Sequence, residues 1–304
     1  MRRDGEGGDL PGNNMLELTP AVIAQDRTGD GSAHREGIFA ANRATGRIAL
    51  AVGAHADGSR PARVHEAGSL RVRFPHGNGQ CLDAVIVNTA GGMTGGDRFD
   101  LDIKIAPGAA IRVTTAAAEK IYRSLGPDSE IGVTLAVGSG GSLAWLPRET
   151  ILFDRARLRR RIDVDVAPDA SLVLAEATVF GRAAMGETVV AGNFFDRWNL
   201  RVDGALRFAE SVRLDGGIAD RLGERAVAGG GAGLASVVKF PGNEENVAAV
   251  RAMQQDFAGE VGVSGWNGLV VVRAVAANGA ALRHDLVRVL TALGAGPLPR
   301  LWMN

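Results

Sequence analysis

Apolar and polar residues alternate along several short segments of this chain. In the segment 69–74, Leu70, Val72 and Phe74 fall on one side and arginines on the other. The same period of two recurs at residues 101–105, 131–137, 162–166 and 198–202. A period of two over a few residues is typical of strands that bury one face. The pattern therefore predicts a mainly all-β protein.

Tight turns separate these segments. Pro-Gly, Gly-Gly, Pro-Asp and Asp-Gly pairs occur at 107–109, 140–142, 168–170 and 203–205, and each is followed by an apolar segment. Such pairs supply the backbone angles of tight turns and predict hairpin connections. Their recurrence at roughly thirty residues predicts antiparallel β-hairpins stacked in layers, although a plain β-sandwich meander would have a similar pattern.

Two helical segments are predicted near the C-terminus. The first follows Asn243, a residue suited to cap a helix, and carries an apolar stripe to Phe257 before Gly259 stops it. The second has leucines and valine at 282–293 and ends at Gly294. Between them, residues 269–272 are expected to form a buried strand. We predict one elongated β domain over residues 37–304 with about two helices, preceded by a flexible extension at residues 1–36.

Composition narrows the possible functions. The 34 basic and 34 acidic residues give no net charge that would attract nucleic acid or an anionic membrane. Cys81 is the single cysteine, which excludes an internal disulfide or a cysteine-based metal cage. No apolar run reaches the roughly 18 residues of a membrane span, and no apolar signal segment follows the first residues. These observations predict a cytoplasmic protein that binds neither nucleic acid nor membranes.

Three polar stretches are candidates for chemistry. The paired glycines at 88–97, which precede Asp97, either bring backbone amides close to a ligand or make bends, and the residue types favour bends. The stretch 114–123 would line a polar channel or partner surface, or would form an internal network. Its polar side chains are those of Glu119, Lys120, Tyr122 and Arg123.

The third stretch contains Glu176, Arg182 and Glu187. Glu176 lies in an apolar segment, and a buried carboxylate must be paired, protonated or bound to metal. Pairing with Arg182 is the simpler interpretation. In a nearby run of arginines at 155, 157, 159, 160 and 161, alternation places 155, 157, 159 and 161 on one strand face, which is expected to face solvent or a partner. The five histidines show no ligand spacing, and we find no nucleophile motif.

Five blocks, in order and at comparable spacing, resemble the UreD (UreH) family of urease accessory proteins over residues 37–304. They are Gly-Gly-x-x-Gly-Gly-Asp at 91–97, Thr-Thr-Ala with Lys-Ile-Tyr-Arg-Ser at 114–124, Leu-Pro-x-x-Thr-Ile at 146–151, Gly-Arg-x-x-Met-Gly-Glu at 181–187 and Pro-Arg-Leu-Trp at 299–302. The sequence departs from the family at Arg148, where glutamine is frequent, and in its extended N-terminus.

The resemblance implies a non-enzymatic assembly factor with no permanently bound cofactor. Its expected partners are UreF-like and UreG-like accessory proteins and urease apoprotein, and Ni²⁺ would pass through it transiently. Such a route needs oxygen ligands that hold the ion weakly. The candidates are Asp97, Glu119, Glu176 and Glu187, with Tyr122, Lys120, Arg123 and Arg182 as partner or channel residues.

Two other functions stay open from the residues alone. One is a hydrolase or transferase on a β scaffold that uses Asp97, Glu119 or Glu176 as acid and base. The other is an interaction module with no route for metal.

Overall fold

A computed structural model describes residues 43–75, 79–182 and 185–303, and residues Arg43–Asn304 group into one compact unit. Within the described ranges the chain forms two β-sheets and three α-helices. The predicted extension at residues 1–36 lies outside them. No helix in the described ranges is long and apolar enough to cross a membrane.

The first sheet has seven strands. They are β1 (Thr45–His55), β2 (Gly58–Gly68), β5 (Arg98–Ile105), β8 (Ser129–Val137), β11 (Arg157–Val166), β13 (Ala191–Val202) and β14 (Ala205–Gly217). Their order is β14-β13-β11-β8-β5-β1-β2. The five inner strands are parallel, and an antiparallel partner closes each side.

The second sheet has ten strands. They are β3 (Leu70–Arg73), β4 (Leu82–Asn88), β6 (Ala110–Thr115), β7 (Glu119–Ile121), β9 (Ser142–Trp145), β10 (Thr150–Leu152), β12 (Ser171–Phe180), β15 (Gly233–Phe240), β16 (Glu260–Trp266) and β17 (Leu269–Ala276). The main path is β16-β17-β15-β12-β9-β6-β4-β3, and β10 joins β12 to β7. Strands β4, β6, β9 and β12 are parallel.

The mainly β class and the stacked layers are confirmed, but three of the four turns connect strands differently from the prediction. The turns at 107–109, 140–142 and 168–170 lead from the first sheet to the second, and the strands on either side do not pair. Of the four, only the turn at 203–205 makes a hairpin, between β13 and β14. At the other three turns, the two flanking strands belong to different sheets, and both bury apolar side chains in the core between the sheets. Strands that follow one another within a sheet therefore lie parallel.

The helices are α1 (Ile218–Gly223), α2 (Glu244–Ala252) and α3 (Gly279–Ala292), with 3₁₀ turns at Gln254–Asp256 and Arg300–Trp302. The two predicted C-terminal helices are confirmed, whereas α1 was not predicted. Asn243 caps α2 by accepting a hydrogen bond from Asn246 N at 2.9 Å.

Helix α2 ends earlier than predicted. The amides of Ala258 and Gly259 donate to the buried carboxylate of Asp285 on α3, at 2.8 and 2.9 Å. Because these amides bond to another helix, the segment after Ala252 leaves the helical path.

Apolar side chains fill two cores. One lies between the sheets, and the other lies between the second sheet and α2 and α3. The predicted buried strand at 269–272 is part of β17 and has side chains in both. Strand β12 is likewise buried on both faces, and the alternation directs Leu174, Glu176 and Phe180 toward the core between the sheets. A carboxylate is thereby placed inside that core.

Candidate functional site

Three charged side chains meet between the sheets. Arg160 on β11, Glu176 on β12 and Asp196 on β13 are 3%, 5% and 6% exposed. The guanidinium donates to Asp196 through Nε at 3.0 Å and Nη2 at 2.5 Å, and to Glu176 Oε2 through Nη1. We call these three residues the buried triad. Two carboxylates there share one cation.

The buried triad corrects one prediction, the pairing of Glu176. Glu176 pairs with Arg160, whereas Arg182 pairs with Glu187. The predicted arginine face excludes Arg160, and in β11 Arg160 lies on the opposite face, together with the buried Leu158 and Ile162.

Two indoles complete the polar contacts of the triad. Trp145 Nε1 donates to Glu176 Oε1 at 2.9 Å, and Trp198 Nε1 donates to Asp196 Oδ1 at 3.0 Å. Burial raises the pKa of Glu176 by more than the attraction of Arg160 lowers it, and repulsion from Asp196 adds to the rise. Burial alone would lower the pKa of Arg160, but the two carboxylates outweigh it and raise that pKa. The guanidinium therefore stays charged.

Two cavities adjoin the triad. An inner cavity of about 60 Å³ lies between the sheets, and a wider outer pocket of about 660 Å³ opens beside β14, β15 and β17. Arg160 and Glu176 line both spaces. Asp196 lines the outer pocket, and Glu119 and Thr150 line the inner cavity. The structure thus brings Glu119 and Glu176 to one cavity, although β7 and β12 are distant in sequence.

Glu119 is the second carboxyl of the inner cavity. Its Oε1 accepts a hydrogen bond from Asn88 Nδ2 at 2.9 Å. Burial raises the pKa of Glu119 to about 7, although hydrogen bonds from the Asn88 side chain and the Lys120 backbone counteract part of the rise. Near neutral pH this carboxyl is therefore distributed between its protonated and ionised forms.

Asp97 lies in a different environment, at the end of the glycine-rich loop. Its Oδ1 accepts from Ala44 N and its Oδ2 from Thr94 N, both at 2.8 Å. Because backbone amides engage both carboxylate oxygens, Asp97 fixes the loop against the start of β1. This agrees with the predicted bend, and Gly92 of the same loop lies against the ring of Tyr122.

Three of the remaining predicted residues, Tyr122, Arg182 and Glu187, form an outer cluster with Phe153. Arg182 bonds Glu187 through Nε at 2.8 Å and lies 4.3 Å from the ring centre of Phe153, which in turn makes an edge contact with Tyr122 at 5.0 Å. The Arg182 hydrogen bond lowers the pKa of Glu187. Lys120 and Arg123 are exposed. Neither Asp97 nor Glu187 is among the described side chains that line the two cavities.

The C-terminal block packs on the Leu-Pro block. Trp302 is buried, and its Nε1 donates to Leu146 O at 3.0 Å, while Arg148 Nη1 donates to Leu301 O. Because Trp145 precedes this block and Thr150 lies within it, the contact supports one wall of the inner cavity.

The carboxylates do not assemble into a tight metal centre. In the described part of the chain, no group of three or more His, Cys, Asp or Glu side chains is arranged to hold a metal ion. The oxygen atoms of the buried triad and of Glu119 are instead distributed around the inner cavity and the outer pocket.

Comparisons with known proteins agree with the five sequence blocks. A family described as UreD urease accessory protein matches residues 44–303. A urease accessory protein UreD from Rhodopseudomonas palustris (strain BisA53) is 53% identical over 268 residues, which cover 88% of this chain and 93% of that protein. One from Bradyrhizobium diazoefficiens is 51% identical over 267 residues, 88% of this chain and 96% of that protein.

Proposed function

This chain belongs to the UreD family of urease accessory proteins and has a role in urease maturation, and we propose that it acts in the cytoplasm as a non-catalytic scaffold that assists nickel delivery. In this proposal UreF-like and UreG-like proteins assemble on it, and the assembly meets urease apoprotein. Ni²⁺ is the cargo and is not retained.

The observation that carries the proposal is the position of Glu176, which borders both the inner cavity and the outer pocket. Glu119 lines the inner cavity and Asp196 lines the outer pocket, so carboxyl groups are present on both sides of Glu176. Carboxylate oxygens bind divalent cations, and isolated ones bind them weakly. Weak binding at successive places suits an ion that must be released.

The ionisation of Glu119 fits this role. A carboxyl with a pKa of about 7 can exchange a proton for a cation near neutral pH at little cost. Glu176 in the same cavity differs, because the guanidinium of Arg160 is bonded to its carboxyl group.

The test uses urease produced together with its accessory proteins and with Glu119→Gln or Glu176→Gln in this chain. We expect urease to co-purify with the variants and to contain less nickel, measured by elemental analysis. Glu187→Gln is the matched control, because its carboxylate faces Arg182 away from both cavities. Full nickel content with both cavity variants would contradict the route, and failure of this chain to co-purify with any accessory protein would contradict the scaffold.

A further inference from the structure

Arg160 stands at the boundary of the two cavities. Its side chain is 4% exposed and lines both spaces. Nη1 also lies 3.3 Å from Thr150 Oγ1. Oxygen atoms from Glu176, Asp196 and Thr150 therefore surround one guanidinium, which already occupies the position that a cation would take.

A guanidinium in this position opposes the passage of a metal ion in two ways. It engages both carboxylates of the buried triad, and a dication nearby would be repelled strongly because the surroundings are apolar and little screened. Two buried carboxylates without a cation would in turn be costly. A positive group between Glu176 and Asp196 removes this cost while both are ionised, and its identity can change.

We propose that Arg160 is an internal plug, and that a divalent transition-metal ion competes with its guanidinium for Glu176 and Asp196. The inference rests on the proposed nickel route, which it deepens by naming the residue that closes it. The plug keeps the carboxylates paired while no metal is present and makes binding of the metal weak.

The surroundings are suited to such an exchange. The indoles of Trp145 and Trp198 each hold one carboxylate oxygen independently of Arg160, so both carboxylates keep a donor when the guanidinium moves away. The outer pocket offers space on one side, and Glu210 and Asp215 are among its lining residues. A displaced guanidinium would thus move toward other carboxylates.

The test measures Ni²⁺ binding to the full-length chain by equilibrium dialysis, together with the thermal unfolding midpoint with and without Ni²⁺. Arg160→Gln removes the charge and keeps amide donors. We expect it to bind Ni²⁺ at least about tenfold more tightly than the unsubstituted chain, because a competing charge is gone, and we expect its unfolding midpoint to rise with Ni²⁺. The double variant Arg160→Gln/Glu176→Gln should lose the gain.

Arg161→Gln is the matched control, since this neighbouring side chain is 67% exposed and should leave Ni²⁺ affinity unchanged. A folded Arg160→Gln chain that binds Ni²⁺ no more tightly than the control would overturn the plug. If that variant does not fold, Arg160→Lys replaces it, because one ammonium cannot engage both carboxylates as the guanidinium does. The lysine variant should show a smaller gain, and unchanged affinity would overturn the plug.

The two proposals fail separately. A gain in affinity for Arg160→Gln, combined with full urease nickel content in the Glu119 and Glu176 variants, would reject the route and leave the competition at Arg160 standing. Reduced nickel content in those variants without any gain for Arg160→Gln would reject the plug alone.

Discussion

Trp145 Nε1 donates a hydrogen bond to Glu176 Oε1 at 2.9 Å, and this bond joins the last residue of β9 to the middle of β12. The two strands are parallel neighbours, with Trp145 opposite Leu174, so the indole reaches the next residue on the same face of β12. Arg160 binds the other carboxylate oxygen. The direction of the Glu176 carboxylate is therefore set from two sides, by a neutral donor and by a charged one.

Replacing Trp145 by Phe should destabilise the protein by about 1–3 kcal/mol, because the ring remains while a buried carboxylate oxygen loses its donor. Urea unfolding measures the change in the free energy of unfolding. Trp266→Phe is the control, since Trp266 is 40% exposed and tilted against Phe208. Equal losses for the two variants would show that the indole bond to Glu176 contributes little.

Glu119 should make stability depend on pH. Its pKa rises from 4.5 to about 7 on folding, so between these values the native state holds more protons than the unfolded state. The contribution of Glu119 to the free energy of unfolding is fully present below pH 4.5 and is lost as the pH rises through 7. As the pH rises from 5 to 8, Glu119→Gln should therefore gain about 2–3 kcal/mol of stability relative to the unsubstituted chain.

The measurement is urea unfolding of both proteins across that pH range. Asn88 still has a carbonyl acceptor in the glutamine variant, so the hydrogen bond that it donates to Glu119 is retained. Glu187→Gln should show no such gain, because the pKa of Glu187 is lowered. A difference between the Glu119 variant and the unsubstituted chain that does not change with pH would contradict the raised pKa.

Alternation of residue types predicted the strands, and capping and apolar spacing predicted α2 and α3, because these signals are local. The pairing of strands was beyond that information. A Pro-Gly turn such as that at 107–109 has the same local chemistry whether it closes a hairpin or leads to a facing sheet. The choice depends on which apolar faces meet across the core, and that is a property of the whole chain.

Only part of the candidate site was predicted, because its assembly also depends on which strands face each other across the core. The polar stretches identified Glu119 and Glu176, but Arg160 and Asp196 were missed. Alternation separates Arg160 from the arginine face and places it with Leu158 and Ile162 on the buried face of β11, but its burial was not predicted. Asp196 has the same signal, between Phe194 and Trp198. Where charge and strand periodicity disagree, periodicity is the better indicator of burial, and the charge then indicates a buried partner.

The close approach of Gly92 to Tyr122 gives a sharp test of the glycine-rich loop. Gly92 has φ of +149°, and an added Cβ would overlap Tyr122 Cε2 and lie 2.9 Å from Lys120 O. Gly91 also has a positive φ, +79°, but nothing lies within 4 Å of an added Cβ. Gly92→Ala should therefore cost about 2–4 kcal/mol from backbone strain and overlap, against about 1 kcal/mol for Gly91→Ala from strain alone.

Urea unfolding of the two variants compares these costs directly, because both carry the same substitution at adjacent positions. Tyr122 is the single tyrosine, so the ring signals of labelled tyrosine report its environment in each folded variant. They should shift with Gly92→Ala and stay in place with Gly91→Ala. Since Tyr122 contacts Phe153, on which Arg182 lies, a displaced ring would carry the change from the glycine-rich loop into the outer cluster. Equal costs and unmoved ring signals would mean that the loop accommodates a side chain at Gly92, and that its paired glycines serve backbone conformation alone.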